Sequence, residues 1–201
     1  MNHSVYDVLS NDERIEDCIY PTAFENLHIL PSSASLAGAE VELSSVVSRE
    51  TILKKRLASI IHLYEYIIID CAPSLGLLTL NALSFSNQLL IPVQCEYFAL
   101  EGLAKLTNTF QLIKERLNPD LSILGIVLTM FDKRTSLNHQ VVNDAKKYFS
   151  QLIFDTIIPR NIRLAEAPSF GLPIALYEPK SSGSIAYYQL AKEVLSRANT
   201  N

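Results

Sequence analysis

The sequence has no G-x-x-x-x-G-K-[ST] loop, and none of its six glycines is followed by lysine. The row of backbone N–H groups and the lysine that such a loop turns toward phosphates are therefore missing from these residues. A basic excess is missing too. With 17 Lys and Arg against 21 Asp and Glu the net charge is −4, which argues against a strongly basic nucleic-acid binder and leaves room only for a local patch or a partner-dependent contact. Cysteine is scarce: Cys18, Cys71 and Cys95 are odd in number and not spaced as metal ligands. They read as reduced, mostly buried thiols, with Cys71 a small core residue at a strand end. His3, His28, His62 and His139 are scattered outside any H-E-x-x-H spacing, and no G-x-S-x-G elbow surrounds Ser74, so zinc and serine-nucleophile chemistries lack their signatures. No apolar run approaches a membrane span. The start, MNHSVYDVLSNDERIED, carries neither a basic n-region nor an apolar h-region, which predicts a cytoplasmic location and no membrane partner.

What is present is ordinary globular material. The 201 residues are 48% hydrophobic and 19% charged, enough for one sizeable core and a single domain. The most informative stretch is YEYIIIDCAPSLGLLTLNAL, Tyr64 to Leu83. Three isoleucines, Ile67 to Ile69, lead to Asp70, and Pro73, Ser74 and Gly76 then break the run. The pattern predicts a parallel strand buried on both faces that delivers Asp70 to the carboxyl edge of an open sheet, where ligands bind. Ser74 is expected to cap the helix from Leu75 onward.

Elsewhere, apolar runs alternate with helical periodicity. Leu27 to Leu30 reads as a short strand closed by Pro31, with Ser32, Ser33 and Ser35 available to start a helix over LAGAEVEL. Glu50 to Leu63 reads as a helix whose Lys54, Lys55 and Arg56 form a solvated face. Further on, helices are expected over Leu77–Leu83, Leu100–Leu117, Leu137–Phe149 and Ile185–Ala198. Strands are expected over Gln88–Val93, Leu121–Met130 and Ile153–Ile158. That alternation predicts parallel pairing with right-handed crossovers. Glu96 and Glu101 fit the start of the 100–117 helix, and Tyr6, Tyr20, Tyr97, Tyr148 and Tyr187 read as packing residues. PRNIRLAEAPSFGLPIALYEPKSSGS, with Arg160, Arg163 and Lys180, reads as a long irregular segment suited to ligand contacts.

These residues carry a family likeness. DCAPSLGLLTLNAL, LPSSASLAGAEVEL (Leu30–Leu43), IPVQCEYFALEGL (Ile91–Leu103), GIVLTMFDKRTSLNHQV (Gly125–Val141) and IIPRNIRLAEAPSFGLPIALYEPKSSGSIAYYQLAKEVL (Ile157–Leu195) closely resemble, in order, the ParA/Soj family of chromosome and plasmid partition ATPases. The resemblance implies an α/β, P-loop NTPase-like parallel sheet flanked by helices, and a deviant P-loop ATPase that dimerises around two ATP molecules. It also implies non-specific DNA binding by the dimer, stimulation by a ParB-type partner, and a cytoplasmic, nucleoid-associated location. Carried over by position, Asp70 is the Walker B aspartate, holding Mg²⁺ through water. Thr129 and Pro159, Arg160 and Asn161 lie near the adenine, and Arg163 and Lys180 are DNA-facing candidates.

The departures are specific. Family members usually begin with a strand, a KGGxGKT-type loop and its helix, then a second strand ending in a D-x-D-x-Q-like motif. This sequence starts downstream of them, at SVYDVL. It is thus expected to be a single ParA-like domain missing the N-terminal strand, P-loop and helix and the second strand. The family's basic D-P-x-S-R-G position is Ser182 within EPKSSG. In P-loop folds the strand bearing the phosphate loop lies beside the Walker B strand, so Ile67–Ile69 is expected to have an open edge. Each unmade buried backbone bond costs about 1–3 kcal/mol, against about 5–15 kcal/mol of total stability. The isolated chain is therefore expected to be marginal and not autonomous as an ATPase. It would be completed by another polypeptide or a full-length ParA-like partner, a degraded or mis-started copy, or a non-catalytic module that engages such a protein or its DNA complex.

Overall fold

The computed structural model describes residues 3–199. They divide into two compact units, 3–87 with Glu115–Leu121, and Gln88–Lys114 with 122–199.

The first unit is built from α1 (Val5–Ser10), the antiparallel pair β1 (Tyr20–Pro21) and β2 (His28–Ile29), α2 (Leu36–Glu42), α3 (Ile52–Leu57) and α4 (Leu77–Phe85). Its core gathers Val8, Leu9, Ile15, Cys18, Leu53 and Leu57. A buried asparagine pins the helices together. Asn81, 1% exposed, accepts from Leu53 N at 3.0 Å and donates to Arg49 O at 2.8 Å and Leu77 O at 3.0 Å. Asn118 donates to the carbonyls of Leu83 and Ser86 at the end of α4, at 2.9 and 2.7 Å, satisfying acceptors that a helix end leaves open.

Here several expectations are corrected. The Leu27–Leu30 run pairs antiparallel with β1, not in a parallel sheet. The expected 50–63 helix is α-helical only over Ile52–Leu57, with 3₁₀ turns at Arg49–Thr51 and Ile61–Leu63. Among the described residues Ile67–Ile69 forms no strand and joins no sheet. Only one face of it is covered: Ile69 packs on the first-unit core while Ile68 is 92% exposed. Apolar propensity alone does not make a strand: burial on two faces needs neighbouring strands. Cys71 at its end is exposed, not a core residue. Ser74 is not the cap of α4. Gly76 holds that position, and Glu40 of α2 accepts from Leu78 N at 3.3 Å. A methyl group on Gly76 would run into the Glu40 carboxylate.

The second unit is a parallel sheet in the order β3 (Gln88–Gln94), β4 (Ser122–Phe131), β5 (Ile153–Pro159). Register runs Ile91↔Ile126 and Val93↔Leu128 across the first pair, and Leu128↔Ile157 across the second. Helices cover both faces, as a parallel sheet requires. Ile126 and Leu128 pack with Leu103 of α5 (Ala99–Arg116) and Ala145 of α6 (Ser136–Phe149). Val127 and Phe154 pack with Ala186 and Leu190 of α9 (Ser182–Ala198).

The 159–184 stretch is not irregular: it holds α7 (Ile162–Glu166) and α8 (Ile174–Tyr177). A side chain at Gly183 would collide with Leu164, so glycine lets α9 close on α7. Tyr97, Tyr148 and Tyr187 are 70%, 68% and 45% exposed, so the packing role expected of them fails. Among the described residues no helix is long and apolar enough to cross a membrane.

Candidate functional site

Of the residues singled out in the sequence, Thr129, Pro159, Arg160 and Asn161 are brought together, at the carboxyl edge of the second-unit sheet. The reason is local. β4 ends in a bulge in which Met130 takes a left-handed conformation, φ 55°, and register shifts between Leu128 and Phe131. Phe131 then pairs with Pro159, and Arg160 N donates to Phe131 O at 2.9 Å. On the other side Cys95 N donates to Thr129 O at 2.9 Å, and Thr129 Oγ1 to Val93 O at 3.3 Å. Proline suits the last position of an edge strand, where no ladder N–H is needed.

A side chain missed by sequence reading braces this edge. Asn138, 8% exposed, donates from Nδ2 to Cys95 O at 2.7 Å and accepts Asp132 N at 2.6 Å, tying the ends of β3 and β4 through the first turn of α6. Its only sequence signal was an asparagine just inside a helix start. Asp132 is gripped in turn by the Arg134 guanidinium and backbone N–H, which hold its carboxyl far below the usual range.

The cations are less free than composition suggests. Asn161 caps α7 by accepting Arg163 N at 2.8 Å and donates to Ser182 Oγ at 2.9 Å. Arg163 pairs with Glu166 at 2.8 Å, and Glu166 also accepts from the Tyr177 hydroxyl. Arg160 and Lys180 are exposed.

Asp70 belongs to the first unit and is exposed on the unpaired 67–70 segment. Local desolvation, then the Asp70 charge, push the adjacent Cys71 thiol up, which is the opposite of an activated thiolate. Among the described residues no group of three or more His, Cys, Asp or Glu could hold a metal ion. A lone carboxylate supplies one or two of six octahedral Mg²⁺ positions, so the described residues do not by themselves fit Mg·ATP.

A family model described as an AAA domain matches residues 1–123. The sporulation initiation inhibitor protein Soj of Bacillus subtilis is 54% identical over 190 residues, 94% of this chain and 75% of Soj. The chain belongs to the Soj/ParA family of chromosome-partitioning ATPases. The chromosome partitioning protein ParA of Myxococcus xanthus is 50% identical over 96% of this chain and 69% of its own length. Among solved structures, cobyrinic acid a,c-diamide synthase from Mycobacterium smegmatis with bound ADP and magnesium superposes with a TM-score of 0.82 at 33% identity. That match covers 98% of this chain and 73% of the other. The cell division ATPase MinD of Pyrococcus furiosus, 24% identical with a TM-score of 0.77 over 97% of this chain and 76% of MinD, shares the fold. The three-stranded parallel sheet and its helices are thus those of a P-loop ATPase of the ParA/MinD type.

Proposed function

We propose that this chain serves DNA segregation as a Soj/ParA protein and takes part in Mg·ATP binding together with phosphate-binding groups not found among residues 1–201, with Asp70 as a water-mediated magnesium ligand. Thr129, Pro159, Arg160 and Asn161 then form the adenine end. The 54% identity to Soj across 94% of the chain carries the reading. The bulged, hydrogen-bonded carboxyl edge of β4 and β5 supports the adenine assignment, because ligands of open α/β sheets bind there. Arg163 and Lys180 are the DNA-facing groups. The partners are a ParB-type protein, non-specific DNA and a second ParA-type subunit, identical or full-length, in a cytoplasmic, nucleoid-associated setting. The two units are parts of one ParA-like domain.

A second reading is favoured by two observations: no lysine loop occurs in the sequence, and among the described residues Asp70 stands without further carboxylate ligands. On residues 1–201 alone the chain is then an interaction module, and ATP chemistry needs phosphate-binding groups that these residues do not contain.

The test is equilibrium binding and hydrolysis of Mg·ATP by the purified chain and its Asp70→Ala variant, each alone and mixed with a full-length ParA-type protein. The proposal expects no Asp70-dependent hydrolysis alone and an Asp70-dependent effect in the mixture. Micromolar binding and Asp70-dependent turnover by the pure chain would overturn the second reading. Indifference to Asp70 in every mixture would overturn the magnesium assignment.

A further inference from the structure

We propose that the start of α5 is a self-association surface, on which two copies of this chain pair about a two-fold axis and each seats Phe98 in the other's pocket. The knob stands free of its own fold: Phe98, just before α5, is 75% exposed and meets the equally exposed Tyr97 ring edge to face at 5.1 Å. The socket adjoins it. A cavity of about 300 Å³ lies between β3 and α5, with Ile91, Val93, Ala99, Gly102, Leu103 and Leu106 among its walls. Ile91, Val93 and Leu103 are buried, so an occupant meets an apolar floor. Phe98 is not part of the lining, yet Gly102 N donates to Phe98 O at 3.2 Å, which sets the knob's backbone at the rim of the socket.

Gly102 is a second observation that points to an occupant. A methyl group placed there would meet nothing within 4 Å, so no close approach within the chain requires glycine. Glycine inside a helix is nevertheless destabilising relative to alanine. An incoming ring accounts for both facts, because it needs the space that a side chain at position 102 would fill.

The arrangement selects a second copy as the partner. Phe98, Gly102 and Leu106 recur at four-residue intervals, the spacing that puts residues on one side of a helix, and Leu106 is 40% exposed. Reversed, the order is Leu106, Gly102, Phe98. An antiparallel copy crossing at Gly102 therefore sets each Phe98 against the other's Leu106 and pocket, which is the self-complementarity that a two-fold contact demands. Glu101, next to the crossing, is already paired with Lys105 at 2.8 Å, so the contact does not bring two bare carboxylates together. A small aromatic ligand would fill the socket and leave Tyr97 and Phe98 in water, whereas a second copy covers socket and rings at once. This contact goes beyond the reading above, since it needs neither ATP nor Asp70, and its small extent makes the dimer a weak one.

The test is sedimentation equilibrium of the whole chain without nucleotide, on the wild type, Phe98→Ser, Gly102→Gln, an equimolar mixture of those two, and Asp70→Ala. The wild type is expected to dimerise with a Kd of about 10–100 μM, and each of Phe98→Ser and Gly102→Gln to weaken this at least about tenfold. Far-UV melts check the fold. Gly102→Gln should melt no lower than the wild type, because the space above Gly102 is open and glutamine is the better helix former. The mixture restores one knob in one socket and should associate more tightly than either variant alone, a result that damage to the fold would not produce. Asp70→Ala should dimerise as the wild type does, so failure of this contact and failure of the magnesium assignment are read separately. The proposal is overturned by a wild type still monomeric at about 500 μM, by an unchanged Kd in either single variant, by a mixture no tighter than its components, or by loss of the dimer in Asp70→Ala.

Discussion

Arg197 near the end of α9 gives the sharpest test of what holds the second unit together. Its Nη2 donates to Ile153 O at 2.7 Å and to Glu193 Oε1 at 3.0 Å, and its Nη1 reaches Leu152 O and Leu124 O at 3.3 and 3.4 Å. The guanidinium carbon stands 4.1 Å over the Phe154 ring. Glu193 meanwhile accepts the N–H groups of Asp155 and Thr156, at 2.8 and 3.0 Å. One arginine and one glutamate thus fasten α9 to the beginning of β5. Arg197→Met keeps the apolar stem near Phe154 and removes the charge. Hydrogen bonds to a charged group are worth about 1.5–3 kcal/mol each, but the two longest contacts count for little. The cation–π contact adds about 1 kcal/mol. With the pair 24% and 19% exposed, partial solvation reduces the sum to an expected loss of about 2–4 kcal/mol. Urea unfolding followed by circular dichroism, at a slope of about 2 kcal/mol/M, should show the midpoint falling by roughly 1–2 M. Hydrogen exchange at the Asp155 and Thr156 amides should speed by at least about thirtyfold. In a double-mutant cycle with Glu193→Gln, the pair should couple by more than about 0.5 kcal/mol. A loss below about 0.5 kcal/mol, with exchange at those two amides unchanged, would refute the reasoning.

Four further outcomes are expected. Asn81→Ala strands Leu53 N–H in the first-unit core and takes a donor from Arg49 O, and should cost about 1–3 kcal/mol by thermal or urea unfolding. Gly76→Ala pushes the Glu40 carboxylate off Leu78 N and should cost about 1 kcal/mol, a loss that vanishes when Glu40→Ala is already in place. Burial raises the Glu193 carboxyl, but the Asp155 and Thr156 N–H groups and Arg197 outweigh it and hold the group below its ordinary value. Its contribution is therefore full above the unfolded value near about 4.3 and is lost as pH falls through the lower folded value. The urea midpoint should drop in that window, and Glu193→Gln should flatten the drop. Finally, the amides of Ile67, Ile68 and Ile69 make no ladder bond among the described residues. They should exchange within minutes, while those of Ile126, Val127 and Leu128 in β4 remain protected.

The second unit was the more legible half of the sequence. Gln88–Gln94, Ser122–Phe131 and Ile153–Pro159 lie within a residue or two of the runs read as strands. Long helices such as Ala99–Arg116 and Ser136–Phe149 carried enough turns for their period to show. What could not be read depended on partners distant in sequence. Ser74 offers a capping side chain, yet Glu40, 38 residues before Leu78, supplies the acceptor. α7 and α8 are five and four residues long, too short for periodicity, and α7 owes its place to Leu164 lying against Gly183. The proposed adenine edge was legible as a set of residue types, but the bond from Arg160 N to Phe131 O and the brace at Asn138 were not.

The same distinction bears on the proposed nucleotide site. Useful catalytic geometry needs groups held within about 0.5 Å, and that precision comes from packing and surrounding hydrogen bonds. Thr129 and Asn161 have it. Thr129 is bonded on both its carbonyl and its hydroxyl, and Asn161 is fixed by Arg163 N and Ser182 Oγ. Asp70 does not: it follows three isoleucines that have no sheet partner, one of them 92% exposed. Identity of sequence therefore carries further than identity of mechanism. The residue that most clearly marks the family sits on a segment that has no sheet partner among the described residues. A strand paired along Ile67–Ile69 would do two things together, by giving their backbone groups ladder partners and by fixing the direction in which Asp70 points.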